Sequence, residues 1–316
     1  MQHEYSKRKV NNMKKILAIV LACLLVLCCF AGCKKDKEEA AGKLVILEEP
    51  LTTEPYAFVT KLGNDTLIQA IDAELAKLVA DGTVKSIFEK YNAPYIAPEE
   101  TPAAAKEATD DSLQKVLDAG KLTIATSPDF PPFENLEDGK IVGIEVDLMN
   151  IICEKLGVAL EIQSMDFDAI LPGLATGKYD LGVAGFTASE ERKENALFTA
   201  SYCLAAISIV VPEGSDIKSK ADLEGKKLSC QSGTTAELYC QTNGYDCDSF
   251  AQNTDAQMAL TTGKVDAWVI DNLTAIEMVN AFNNGTAVAD AADDAADDAA
   301  AEVDAAAAEA VDDVTA

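Results

Sequence analysis

Hydrophobic positions repeat along this chain with two periods, and the changes of period mark its elements. Residues 44–47 form a short apolar run that reads as a strand. Residues 50–55 break it with two prolines, and 56–60 read as a second strand. From Asp65 the spacing becomes helical, with Leu67, Ile68, Ile71, Leu75, Leu78 and Val79 on one face. Gly82 stops that helix, and Thr83 starts a shorter one carrying Val84, Ile87, Phe88 and Tyr91. Residues 93–111 hold three prolines and three glutamates without apolar periodicity, and read as a linker.

Strand and helix patterns then alternate: a helix at 113–117, a strand at 122–126, an amphipathic helix at 143–156, a strand at 158–163, a helix at 167–175 and a strand at 179–183. The loop 127–133, between the strand at 122–126 and the amphipathic helix, presents two phenylalanine rings, Phe130 and Phe133, that read as exposed. An apolar strand at 205–211 ends in a composition break at Pro212, Glu213 and Gly214. A second alternation follows: strand 227–230, helices 236–241 and 257–262, strand 267–270 and helix 273–282. This pattern predicts an α/β chain with largely parallel sheets. Ligands of such sheets sit beyond the carboxyl ends of the strands, where the loops 127–130 and 184–187 fall.

The two ends differ from this body. A basic start is followed by a 15-residue apolar run, 16–30, short for a membrane span and suited to a secretory leader. The leader closes on Phe30, Ala31, Gly32 and Cys33, which resembles the bacterial lipoprotein processing box, with Phe30 departing from its usual aliphatic residue. That resemblance makes Cys33 the lipidated residue. The last 33 residues carry ten Asp or Glu, no Lys or Arg and no apolar face, and read as a disordered or marginally helical tail.

The net charge of −27 argues against nucleic acid or anionic lipid headgroups as partners. The one histidine, His3, lies in the leader, so the body has no imidazole for acid–base relay or metal ligation. No phosphate-binding or dinucleotide glycine motif occurs, and Ser232 lacks the neighbours of a nucleophile elbow. No cofactor and no metal are expected. Arg192 is the candidate for chemistry. Ser189 caps a helix start with Glu190 and Glu191 ahead of Arg192, an arginine set against the helix dipole. Its planar fork matches a carboxylate, although spacing alone favours a solvated surface arginine. Phe130 and Phe167 are equally open to core packing, and Asp271 to a helix cap. Cys240 and Cys247 could pair in an oxidising compartment, whereas Cys153 and Cys203 read as small buried hydrophobes.

Residues 118–283 resemble the bacterial extracellular solute-binding proteins, family 3, through the runs GKLTIATSPDFPPFE, GKIVGIEVDLMNII, MDFDAILPGLATGKYDLGVAGFTASEERK, QSGTTAELY and GKVDAWVIDN. Residues 43–91, with LVILEEPLTTEPYAFVTK and DGTVKSIFEKY, resemble the C-terminal end of the same family. The resemblance implies a two-lobe periplasmic-binding-protein type II fold with two hinge strands, here circularly permuted. The parts would be a signal peptide at 1–33, a spacer at 34–42, the last strand of lobe 2 with the second hinge at 43–54, and C-terminal-type helices of lobe 1 at 55–92. The linker at 93–111, lobe 1 at 112–200, the first hinge at 201–210, lobe 2 at 211–283 and the acidic tail at 284–316 would complete the chain.

Carried over by motif position, Arg192 would grip a ligand carboxylate with Thr187 and Thr234, and Asp271 would take the ammonium with the loop at Ala184 and Gly185. Phe130 and Phe167 would sandwich the ligand side chain, and Gln231, Gly233 and Thr235 would line the second lobe. Ser127 stands where several relatives carry an aspartate that reads the side chain, and Gln231 where some carry a lysine; both point to a polar or neutral amino acid. The implied function is a non-enzymatic, monomeric receptor, lipid-anchored outside the cytoplasmic membrane, that hands a free amino acid to the permease subunits of an ABC importer. A carboxylate-dependent dehydratase on the same fold, and a sensor or surface module, are the competing readings.

Overall fold

The computed structural model describes residues 42–98 and 107–286. The leader, Cys33, most of the spacer, the middle of the linker and the tail beyond 286 lie outside the described residues. Among the described residues no helix is long and apolar enough to cross a membrane.

The N-terminal block supplies β1 (Leu44–Ile46), β2 (Glu54–Tyr56), β3 (Val59–Lys61), α1 (Asp65–Ala80) and α2 (Thr83–Lys90). After the linker come α3 (Ser112–Ala119), β4 (Lys121–Thr126), β5 (Asp129–Phe130), β6 (Glu134–Glu137), β7 (Lys140–Val142), α4 (Ile144–Leu156) and β8 (Ala159–Ser164). Next are α5 (Phe167–Ala175), β9 (Leu181–Gly182), α6 (Glu190–Lys193), β10 (Ala196–Phe198), β11 (Cys203–Ala205) and β12 (Ile207–Pro212). A 3-10 turn at Lys220–Leu223 precedes β13 (Lys227–Gln231), α7 (Thr235–Asn243), β14 (Asp246–Phe250), α8 (Asn253–Thr261), β15 (Ala267–Asp271) and α9 (Asn272–Asn283).

Two five-stranded sheets result. One has the order β10-β3-β9-β4-β8, the other β1-β12-β15-β13-β14. Each sheet is parallel where the alternation predicts it, at β4–β8 and β13–β14, and antiparallel where the N-terminal block joins. β3 enters the first sheet between β10 and β9, and β1 edges the second, with Leu44 opposite Pro212. Between the sheets β2 pairs with β11, Cys203 facing Tyr56, to give a two-stranded hinge.

The helical face anticipated for α1 is buried as its spacing requires: Leu67, Ile68, Ile71, Leu75 and Leu78. It joins Val84, Ile87 and Phe88 of α2 in one cluster with Leu148, Met149 and Ile152 of α4. The free amides at the start of α1 find partners across the linker. Thr66 N donates to the Asp110 carboxylate at 2.9 Å and Leu67 N to the Ser112 hydroxyl at 3.1 Å. On the other lobe the Asn283 amide clasps both backbone groups of Leu44, at 2.8 and 2.9 Å. The second lobe has a core on each face of its sheet, one around Trp268 and Met278 and the other around Leu223, Leu228 and Val269.

The three-stranded sheet β5-β6-β7 was not legible in the sequence. Its strands run two to four residues, too short to show a period. One expectation is corrected: Phe133 is fully buried, packed edge-on to Tyr56 and Phe88. The proline-rich turn folds that ring inward under Phe130, which alone faces the space between the lobes.

Candidate functional site

The cleft between the lobes is lined by Tyr56, Ser127, Phe130, Glu134 and Phe167, by Ala184, Gly185, Thr187 and Arg192, and by Gln231, Thr234, Thr235, Asn253 and Asp271. Of the residues anticipated from sequence, all but Gly233 line it.

Arg192 reaches the cleft because Ser189 starts α6, accepting the Arg192 amide at 3.3 Å. Its guanidinium lies 5.6 Å from the ring centre of Phe167 and 5.4 Å from that of Phe186. Those two rings stack on each other at 4.6 Å, so the arginine rests on a rigid aromatic floor. One nitrogen donates to the Thr187 carbonyl at 3.1 Å and the other to the Gly233 carbonyl of the opposite lobe at 3.0 Å. A solvated surface arginine is thereby excluded.

Facing it across the cleft is the start of α7. Thr234 caps that helix, accepting from Glu237 N at 3.2 Å, and Thr235 and Ala236 turn toward the cleft. A helix start and an arginine on opposite walls make an environment for a carboxylate.

Asp271 does two jobs at once. One oxygen caps α9, accepting from Leu273 N at 2.9 Å and Thr274 N at 3.5 Å. The other accepts from the Tyr56 hydroxyl at 2.6 Å. Burial pushes its carboxyl up to about 7, against the pull of the tyrosine and the two amides.

Further contacts tie the lobes together, and Asp129, Asn253, Gln252 and Glu54 among them had no sequence signal. Asp129, buried on the first lobe, accepts from Asn253 N at 2.5 Å and from the Gln231 amide at 3.4 Å on the second. Burial lifts its carboxyl to about 6. Ser127, anticipated as a ligand contact, donates to that same carboxylate at 3.0 Å. Gln231 is held further by Asn253 and the Ala251 carbonyl, each at 3.0 Å. Gln252 reaches back to Asp166 at 2.8 Å. Thr187 donates to Glu54 of the hinge at 2.5 Å. Asp129 and Glu54 are visible only once their partners, more than a hundred residues away in sequence, are brought beside them.

A buried acid pair, Glu134 and Glu145, reaches the cleft through Glu134. Glu145 accepts from the Tyr202 hydroxyl at 2.6 Å and from Gly185 N at 3.0 Å. Glu134 beside it accepts no hydrogen bond. Burial first, and the neighbouring Glu145 second, push the Glu134 carboxyl well above the usual range.

Two glycines are needed for close approach. Gly185 has φ +55°, and a Cβ there would lie 2.6 Å from the Phe130 ring. Gly233 has φ +75°, and a Cβ there would lie 2.8 Å from the Asp168 Cβ on the other lobe. Gly233 lies beside the cleft and not in its lining. It is exposed and contributes a lobe contact and its carbonyl to Arg192, because its backbone lies against the first turn of α5.

The profile of the bacterial extracellular solute-binding proteins, family 3, matches residues 122–314, more than half of the chain. The chain belongs to this family. It is 30% identical over 186 residues to the L-cystine-binding protein TcyJ of Escherichia coli, covering 57% of this chain and 70% of that protein. It is 32% identical over 150 residues to an L-arginine-binding protein of Pseudomonas aeruginosa, covering 46% and 58%. Among solved structures it is similar to holo ArgBP from T. maritima, with 39% identity, a TM-score of 0.51 and coverage of 53% and 76%. It is also similar to an ancestral amino acid-binding protein described as a precursor of cyclohexadienyl dehydratase, with 30% identity, a TM-score of 0.52 and coverage of 54% and 78%. Family 3 is an extracellular solute-binding family, and its two-lobe α/β fold is the fold of this chain.

Proposed function

We propose that this chain is the substrate-binding protein of an ABC importer, closing its two lobes on one free amino acid and presenting it to the permease. The observation that carries this is the pairing of Arg192, on its aromatic floor and opposite the start of α7, with the buried carboxyl of Asp271 in the same cleft. An α-amino acid brings a carboxylate for the first and an ammonium for the second. Phe130 and Phe167 would flank its side chain, and Ala184, Gly185, Thr187, Gln231, Thr234 and Thr235 would complete the walls. The relatives named for cystine and arginine binding support an amino acid as the solute. Ser127 and Gln231 favour a polar or neutral one. Closure follows because contacts to both lobes exist together only in the closed form. A thermal-shift screen of the free amino acids tests this. One of them should raise the melting temperature and bind one to one by calorimetry, and a screen in which none does would overturn the reading. The protein is a monomer and not an enzyme on this reading. The buried acids Glu134 and Asp271 are the specific feature that keeps a dehydratase in view, and turnover of a cyclohexadienyl substrate would favour it.

Protonation of Asp271 gives the reading a pH signature. Its folded pKa is raised from 3.8 to about 7, so its contribution to the stability of the ligand-free closed form is present below pH 3.8 and lost as pH rises through about 7. An ammonium ligand needs the ionised carboxylate and has the opposite dependence. Affinity should therefore strengthen from pH 5 to pH 8, by up to about tenfold per unit below pH 7. Calorimetry in matched buffers checks this, and a flat profile would count against Asp271 as the ammonium partner.

Anchoring through Cys33 is proposed from the leader pattern. Expressed in a bacterium, Cys33→Ser should lose lipid labelling and leave the membrane fraction, and labelling that persists would refute the anchor.

A further inference from the structure

Three of the cysteines converge on one point of the second lobe, away from the cleft. Cys230 lies on β13, Cys240 on the crossover helix α7 and Cys247 on β14, so each successive element of one βαβ unit contributes a sulfur. The three Sγ atoms lie within 4.8 Å of one another, and those of Cys230 and Cys247 are 3.3 Å apart. All three are free thiols. The possible Cys240–Cys247 pair is thus a triad that includes Cys230, whose part in it no spacing announced.

We infer that Cys230, Cys240 and Cys247 form a binding site for a thiophilic cation, zinc(II) or copper(I). Three thiolates are the ligand set that soft cations select. Sulfurs held at about 2.3 Å from a shared ion sit roughly 4 Å apart, inside the observed limit, so small side-chain rotations complete the site. A disulfide would use two of the sulfurs and strand the third in an apolar shell that includes Leu228, Leu223 and Ala236. Cys230 and Cys240 are fully buried while Cys247 is partly exposed at the edge strand, which gives an ion its path in. Beside the sulfurs the Ser249 hydroxyl lies 3.7 Å from Cys230 Sγ and donates to Glu237 at 2.6 Å, a polar pair placed to support the site. Each thiol gives its proton to solvent as its sulfur takes up the ion, so binding releases up to three protons per ion. The bound ion would staple β13 to α7, the two elements that present Gln231, Thr234 and Thr235 to the cleft.

The test uses the full chain, reduced and metal-free under anaerobic conditions. Zinc(II) and copper(I) are titrated separately against chromophoric chelators, and bound metal is counted by elemental analysis. The expected result is one equivalent of at least one ion, with a melting temperature raised by roughly 5–10 °C at a hundredfold excess over the dissociation constant. The same stoichiometry should persist in Cys153→Ser and be lost in Cys240→Ser and in Cys247→Ser. Cys247 is partly exposed, so its variant keeps the fold, which circular dichroism verifies. The proposal is overturned if neither ion binds, if binding survives in folded Cys247→Ser, or if mass mapping of the protein as isolated finds a disulfide joining two of the three. None of these outcomes depends on which solute the cleft takes.

Discussion

A chain beginning at Asp111 should neither fold nor bind an amino acid. We propose that this is a circularly permuted member of its family, in which residues 43–91 complete both lobes of the body that follows. β1 edges one sheet, β3 enters the other, and β2 forms half of the hinge. Removing the block takes away the fully buried Phe58, Leu67, Ile71, Leu75 and Phe88 and exposes their partners on α4. At about 1.5–3 kcal/mol for each large apolar side chain, that loss is as large as the roughly 5–15 kcal/mol by which a domain is stable. The family match begins at residue 122 and leaves the block outside it. Circular dichroism and calorimetry of the shortened chain check the prediction. Folding and binding equal to the full chain would show that the block is dispensable. Light scattering separates two ways of using it: a monomer binding one ligand supports permutation, and an obligate dimer means that the block completes a neighbour.

The second large effect is expected at Arg192. Arg192→Ala should weaken ligand binding by about 2–5 kcal/mol, the loss when one partner of a desolvated charge pair is removed, or from about thirtyfold to several thousandfold in Kd. Arg192→Lys should recover little, because an ammonium cannot reproduce the planar fork or its rest on Phe167 and Phe186. Asp271→Asn isolates the other end. The amide oxygen can still cap α9, so the fold should hold while the ammonium partner is lost. Asp271→Ala should also forfeit the cap, at about 0.5–2 kcal/mol of stability. Near wild-type affinity in Arg192→Ala would remove the carboxylate assignment and the proposed binding mode with it.

Much of this was legible in residue order. Long helices announce themselves, as α1 did through six apolar positions on one face, five of which are buried. The cleft was readable where one local run builds it, as in the run from Ala184 to Arg192. Asp129, Glu54 and Tyr56 were missed for a shared reason. Their roles come from partners on another lobe or hinge strand, and no local spacing encodes a partner 124 residues away, as Asn253 is from Asp129. The same cause misjudged Phe133, whose proline-rich loop looks exposed until Tyr56 and Phe88 close over it.

We propose that the contact between Gly233 and Asp168 acts as a mechanical stop to closure. It is backbone against the first turn of a helix, outside the cleft lining, and it leaves no room for even one added carbon. The angle at which the lobes come to rest is then a property of the chain and not of its cargo. A transporter touching both lobes would meet one outline for every accepted solute, and could read occupancy without reading identity. Discrimination would then lie wholly in whether the stop is reached, which makes the cleft a gate with a single answer and leaves the outer surface free of any need to vary with the solute inside.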